Sequence, residues 1–154
     1  MIQISKRIGN KARSNSLHLQ AIALSGYLPN GLCNGLPILK GLYLSYNKLH
    51  DQMPTSLTNC SQLQILSLSD NEFDGPIHSE IERSSNLQIL ALGIINFTGI
   101  IPQEIENLVN LAELAMERNQ ISGSFPISTL SHRCNVCHCG ITILVDSYHG
   151  RLAI

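Results

Sequence analysis

Apolar residues along this 154-residue chain follow neither of the two simple periods. Between residues 63 and 73, Leu63, Leu66 and Leu68 are spaced by three and then two, Asn71 lies three further on, and Phe73 two beyond that. An amphipathic helix repeats its apolar residues at three and four, whereas a half-buried strand alternates strictly. The segment opens with the first spacing, passes to the second and closes on Gly75-Pro76, two residues that turn a chain. The Leu66/Leu68 pair therefore predicts a short strand, with Ser67, Ser69 and Asp70 outward beside it.

The same mixture recurs. Leu39, Leu42, Leu44, Asn47 and Leu49 match Leu63, Leu66, Leu68, Asn71 and Phe73 at an offset of 24 residues. Leu87, Leu90, Leu92 and Phe97 follow at the same offset, then Leu111, Leu114, Met116, Asn119 and Ile121. A poorer copy, Leu17, Leu19, Ile22 and Leu24, precedes them. A sustained period of this length marks a solenoid, in which each unit buries its apolar face against its neighbours. One parallel sheet is expected, with a strand per unit centred near Leu19, Leu44, Leu68, Leu92 and Met116 and a right-handed crossover. Leu57, Ile81 and Ile105, with Cys60 and Leu108 three residues after their counterparts, predict a short helical turn on the far side. The turn after each strand needs partners for its buried amides, and an inward asparagine carries both donor and acceptor. Asn47, Asn71 and Asn119 form that ladder.

The pattern L-x-x-L-x-L-x-x-N-x-L-x-G-x-I-P, carried by residues 39–62 and 87–110, resembles the plant-type leucine-rich repeat over roughly residues 14–126. That repeat fills the ectodomains of plant leucine-rich repeat receptor-like serine/threonine kinases and receptor-like proteins. The resemblance implies an α/β fold: a right-handed leucine-rich repeat solenoid with about five short parallel strands on the concave face and helical turns and loops on the convex side. Residues 1–13 are read as a basic N-terminal segment, 14–130 as repeats and 131–154 as a non-repeat C-terminal tail. Departures are visible: Ile22 and Ile95 stand in the asparagine column, Asp51 where glycine is usual and His78 where proline is usual. The last copy loses register at Thr129.

Composition narrows the function. Hydrophobic residues make up 44%, charged residues 14%, and the net charge is −1, which excludes a disordered chain and leaves no field to hold nucleic acid or an anionic membrane. The four cations Lys6, Arg7, Lys11 and Arg13 precede no apolar h-region, so no secretory signal is read there. No window has the apolar length of a membrane span. Five cysteines, an odd number, argue against a complete disulfide framework. Cys60 reads as a small buried apolar residue, and spacing nominates no partner for Cys33.

Chemistry finds little purchase. His132, Cys134, Cys137, His138 and Cys139 contain a C-x-x-C half-site, but all lie within eight residues with no second pair, and no metal or cofactor is expected. No Gly-rich phosphate loop, V-A-I-K lysine, H-R-D loop or D-F-G is present. The chain is read as no enzyme, without the kinase domain of the related receptors. What remains is the outward surface beside the strands. There the resemblance implies docking of a peptide or protein ligand, or a co-receptor ectodomain, with Tyr43 and Tyr46 as anchors and Asp70, Glu113, Glu117 and Arg118 as polar contacts. Five strands about 4.8 Å apart offer on the order of 400 Å², against about 800 Å² per partner in a stable interface. The expected function is a non-catalytic binding module, part of a receptor ectodomain in signal perception at the plasma membrane or outside the cell. The alternative is a truncated structural remnant with no independent function. Two acceptor sequons, Asn59-Cys60-Ser61 and Asn96-Phe97-Thr98, are glycosylation candidates, with Asn96 expected to be the readier.

Overall fold

The computed structural model describes residues 2–3, 14–123 and 142–144. Among them, twelve short strands, numbered β1 to β12 in chain order, form two six-stranded sheets. The concave sheet contains β2 (Ser16–His18), β4 (Gly41–Tyr43), β6 (Ile65–Ser67), β8 (Ile89–Ala91), β10 (Glu113–Ala115) and β12 (Thr142–Leu144). Every pairing is parallel, as a solenoid requires. The register aligns Leu17, Leu42, Leu66, Leu90 and Leu114 in one inward row, each 0–2% exposed. A fully buried leucine contributes about 1.5–3 kcal/mol, so this row and its neighbours carry the fold.

The strands thus centre two residues before the expected Leu19, Leu44, Leu68, Leu92 and Met116. The ladder itself runs on past their ends: the Leu44, Leu68 and Leu92 N–H groups donate to Ser67, Ala91 and Ala115 carbonyls, each at 2.8 Å. Extended geometry then breaks, because the next residues turn. Ala21, Tyr46, Asp70, Ile94 and Arg118, each immediately before the asparagine column, all have φ between 52° and 60°. This left-handed column bends every coil out of the sheet.

A second parallel sheet follows the bend, where the expectation was a single one. It is ordered β1 (Ile2–Gln3), β3 (Leu24–Gly26), β5 (Lys48–Gln52), β7 (Glu72–Pro76), β9 (Asn96–Gly99) and β11 (Gln120–Ile121). Leu49, Phe73 and Phe97 point inward at 0% exposure, flanked by exposed Lys48, Glu72 and Asn96. Here too a left-handed residue ends the run: Gly26, Asp51, Gly75, Gly99 and Gly123 all have positive φ. Asp51, at φ 66°, adopts the conformation its column demands despite its side chain.

The convex side holds four 3-10 turns: η1 (Leu32–Gly35), η2 (Thr55–Asn59), η3 (Ser79–Arg83) and η4 (Gln103–Asn107). Pro54 and Pro102 enter η2 and η4 in extended conformation, and His78 enters η3 the same way at φ −79°, so the turn accepts a residue other than proline. Leu57, Ile81 and Ile105 are buried beneath these turns as expected. The expectation for the cysteines is corrected. Cys33 and Cys60 form a disulfide with Cα atoms 5.0 Å apart, 27 residues apart in sequence. Cys33 shares the column of Leu57, so a straight match at 24 residues misses the pair. Cys60 lies one further 3-10 turn along, where residues three apart eclipse.

Candidate functional site

The asparagine ladder positions everything above it. The Asn71 carboxamide oxygen accepts from the Leu49 N–H at 3.0 Å, while its Nδ2 donates to the carbonyls of Leu44 (3.0 Å) and Leu68 (2.8 Å). Asn47 repeats this towards Leu24 N–H, Leu19 and Leu44, and Asn119 towards Phe97 N–H, Leu92 and Met116. Each asparagine therefore ties its own turn to the preceding unit. Ile95, buried at 4% exposure, brings no amide, so the third unit lacks this tie to the second.

Above the ladder, the six sequence-predicted contact residues fall on the concave sheet and its bend. Tyr43 lies in β4, half-buried. Its ring stacks on that of His18 in the neighbouring strand, centroids 4.2 Å apart and planes within 9°. Gly41 makes this possible: a Cβ there would stand 2.7 Å from the Tyr43 ring. Tyr46, 64% exposed, projects from the left-handed bend of the same unit, three residues after Tyr43. His18, Tyr43 and Tyr46 form an aromatic shelf at the N-terminal end of the sheet.

Two carboxylates, Glu113 and Glu117, stand at the other end, while Asp70 lies in the unit next to Tyr46. Glu113 is exposed on β10, and Asp70 is half-buried in the bend. Glu117 lies folded over Gly93, whose absent Cβ would stand 2.5 Å from Oε1 and 2.7 Å from Oε2. The Gly93 N–H is already given to Ser69 Oγ at 3.1 Å, so it offers the carboxylate nothing. Glu117 Oε2 is buried and has no hydrogen-bond partner. A buried acceptor left unpaired costs about 1–3 kcal/mol. Arg118, exposed at φ 54°, completes the same bend. One unit is about 4.8 Å along the sheet, so Tyr43 and the Glu117 unit, where Ala115 is in register with Tyr43, are three units or about 14 Å apart along it.

Four positions between these side chains on the concave side are covered: Gly41, Ser45, Gly93 and Ala115 are buried. Ser45 at 3% exposure is held by a 2.7 Å hydroxyl contact with Ser67. Sequence reasoning missed the His18 stack and the two glycine notches. The signal for both was a glycine at or just past a strand end, where close approach by another group is a usual reason for it. Among the described residues no group of three or more His, Cys, Asp or Glu could hold a metal ion. His132, Cys134, Cys137, His138 and Cys139 lie outside the described residues. No helix among the described residues is long and apolar enough to cross a membrane.

Parallel one-per-unit strands, an inward asparagine ladder and short convex turns at a 24-residue period define a leucine-rich repeat protein. A family profile described as leucine rich repeat matches residues 15–73, and no curated protein matches the chain. Its fold is that of a leucine-rich repeat solenoid, and among solved structures it is similar to plant receptor-kinase ectodomains. It is similar to the LRR ectodomain of the receptor kinase SOBIR1 from Arabidopsis thaliana, with 29% identity, TM-score 0.73, and coverage of 84% of this chain and 68% of that one. The BIR2 ectodomain from Arabidopsis thaliana gives 27% identity and TM-score 0.72, covering 86% of this chain and 69% of that one. The plant peptide hormone receptor RGFR1, solved in complex with RGF2, gives 32% identity and TM-score 0.73. The match covers 80% of this chain but 20% of RGFR1.

Proposed function

We propose that this chain is a non-catalytic peptide- or protein-binding module that serves as part of a receptor ectodomain on the outer side of the plasma membrane. One observation carries the reading: the concave sheet presents an aromatic shelf at one end and, in the unit about 14 Å along it, a buried Glu117 oxygen with no partner. An extended peptide spans that distance in about four residues. Such a ligand sets an apolar or aromatic side chain on Tyr43 and Tyr46 and a cation on Glu117, with Glu113 and Asp70 adding to the field. Aromatic anchors carry binding energy at low ordering cost, and a charge-assisted bond answers the unpaired oxygen. The relation to RGFR1, whose structure holds the peptide RGF2, supports the reading. The area available, on the order of 400 Å², makes this one part of a larger interface.

The test is a random heptapeptide display library panned on the disulfide-intact chain, with clones re-assayed on Tyr43→Ala and Glu117→Gln. Expected are clones with a basic residue about four positions from an apolar one, weakened about tenfold or more by either change, as for a hot-spot contact of 1.4 kcal/mol or above. Clones that bind both variants as well as the parent, while losing affinity to Lys48→Ala or Glu72→Ala on the second sheet, would move the site off the concave face. A library that enriches nothing favours the remnant reading.

A further inference from the structure

The two sequons sit in opposite structural settings, and the Cys33–Cys60 disulfide locks one of them. Asn96 and Thr98 are both exposed on β9, with Phe97 between them at 0% exposure. Residues i and i+2 of a strand share a face, so the carboxamide and the hydroxyl of this sequon project together, outward from the second sheet. Asn59-Cys60-Ser61 is different. Asn59 ends η2, and Cys60, 4% exposed, turns inward to Cys33. The Cys60 N–H donates to the Leu57 carbonyl at 3.1 Å and the Ser61 N–H to the Asn59 carbonyl at 2.9 Å, closing the tripeptide into a tight turn. Asn59 is itself exposed, so packing would accept a glycan there; what is withheld is the open sequon.

We infer that closing the Cys33–Cys60 disulfide withholds Asn59 from N-glycosylation, so that Asn96 is the site that carries the glycan. The inference rests on the extracellular reading above, since both reactions belong to the oxidising secretory route. In disulfide closure the two thiols give up two protons and two electrons to the disulfide of a thiol oxidoreductase, which leaves as its dithiol. In glycosyl transfer the asparagine carboxamide nitrogen bonds to the anomeric carbon of a lipid-pyrophosphate-linked oligosaccharide. The carbon–oxygen bond to pyrophosphate breaks, the lipid pyrophosphate departs and one amide proton is lost. Both reactions need the same tripeptide. Cys33 precedes Cys60 by 27 residues and is already present when Cys60 enters the compartment, so closure has its partner waiting.

The test places the full chain behind a secretory leader in plant cells and maps glycopeptides by mass. The parent chain should carry glycan on Asn96 and none on Asn59. Cys33→Ser leaves the Asn59-Cys60-Ser61 sequon intact but removes the partner thiol, and it should raise Asn59 occupancy from undetectable to a measured fraction. The readout is on the glycopeptide, so it survives a variant that folds poorly. Leu66→Ala loosens the adjoining unit with both cysteines in place, and Asn59 should stay bare in it. An occupied Asn59 in the parent, a bare Asn96, a bare Asn59 in Cys33→Ser, or an equal rise in Leu66→Ala would each overturn the inference. The leader forces entry into the route, so these outcomes do not depend on how the chain is delivered in its own cell. That delivery is read separately, from glycan on the endogenous protein.

Discussion

Replacing Asn71 by isoleucine repeats at one unit what the chain already does at Ile95, and its cost follows from the bonds Asn71 makes. Asn71 is 7% exposed, so water does not replace what it loses. The Leu49 N–H, held at 3.0 Å by Asn71 Oδ1, becomes an unpaired buried donor, at about 1–3 kcal/mol. The carbonyls of Leu44 and Leu68 each lose one donor, a smaller penalty because a carbonyl oxygen has a second lone pair. Isoleucine returns about 1 kcal/mol through added apolar burial. The net loss is about 2–3 kcal/mol, a large part of the 5–15 kcal/mol that stabilises a domain. Asn119 makes the same set of bonds but is half-buried, so water substitutes in part and Asn119→Ile should lose about 1 kcal/mol. Urea unfolding followed by far-ultraviolet dichroism measures both, and amide hydrogen exchange localises the effect. The Leu49 amide should lose protection while the Leu24 amide, bonded to Asn47, keeps it. Equal losses for the two variants, or an unchanged Leu49 exchange rate, would show that the asparagine bonds are not what joins adjacent units.

Three further outcomes follow. Reduction, or Cys33→Ser, removes a 27-residue loop constraint and should lower stability by about 3.5 kcal/mol on the chain-entropy account, read as a fall in the urea midpoint with dithiothreitol. In the left-handed glycine column, Asp51→Gly should stabilise by about 0.5–1 kcal/mol. Gly75→Ala, where φ is 75° and a Cβ would meet the Gln52 side chain at 3.0 Å, should destabilise by about 1–2 kcal/mol; opposite signs at the two positions are the check. Ile94→Asn, at φ 55°, should stabilise by about 1 kcal/mol, and a lowered midpoint would mean that packing of the partly exposed isoleucine outweighs backbone strain.

The repeat was legible because it is written in side chains that must be buried. Leu42, Leu66, Leu90 and Leu114 recur at fixed spacing, and a parallel stack follows from the spacing alone. Asn71 could be assigned because a turning buried backbone needs an amide. The second sheet was not legible. Lys48, His50 and Glu72 face water and tolerate any polar residue, so they leave no alternation strong enough to mark a strand. The left-handed bend was hidden for a related reason: Tyr46, Asp70, Ile94 and Arg118 have no chemistry in common, and only the backbone shows that they share a conformation. Cys33–Cys60 escaped because the pairing is diagonal, one unit and one 3-10 turn apart. In the site, the types of the contact residues were readable, but their arrangement depended on Gly41 and Gly93, whose meaning appears only with the neighbour that fills each notch.

The third unit is where the chain most often departs from its own local rules. Ile94 holds a branched side chain at positive φ, Ile95 replaces the amide that Asn47, Asn71 and Asn119 bring to their own turns, and Gly93 follows just past the strand end. Sequences are ordinarily consistent across propensity, pattern and packing, and violations concentrate where function requires them. Here the violations have a common consequence. Without a Cβ at 93, the Glu117 carboxylate can lie flat against the sheet; with a larger residue it would stand out in solvent, where water would satisfy it. The arrangement keeps one oxygen of the half-exposed carboxylate from water, and an acceptor so placed binds a cation more strongly than a fully solvated one, because the local dielectric is lower. A structural role would favour the opposite choice at each position: a side chain at 93, an asparagine at 95 and a solvated glutamate. That coincidence of local cost with an unpaired oxygen on the open face is the strongest reason to regard the C-terminal half of the sheet as built for a ligand.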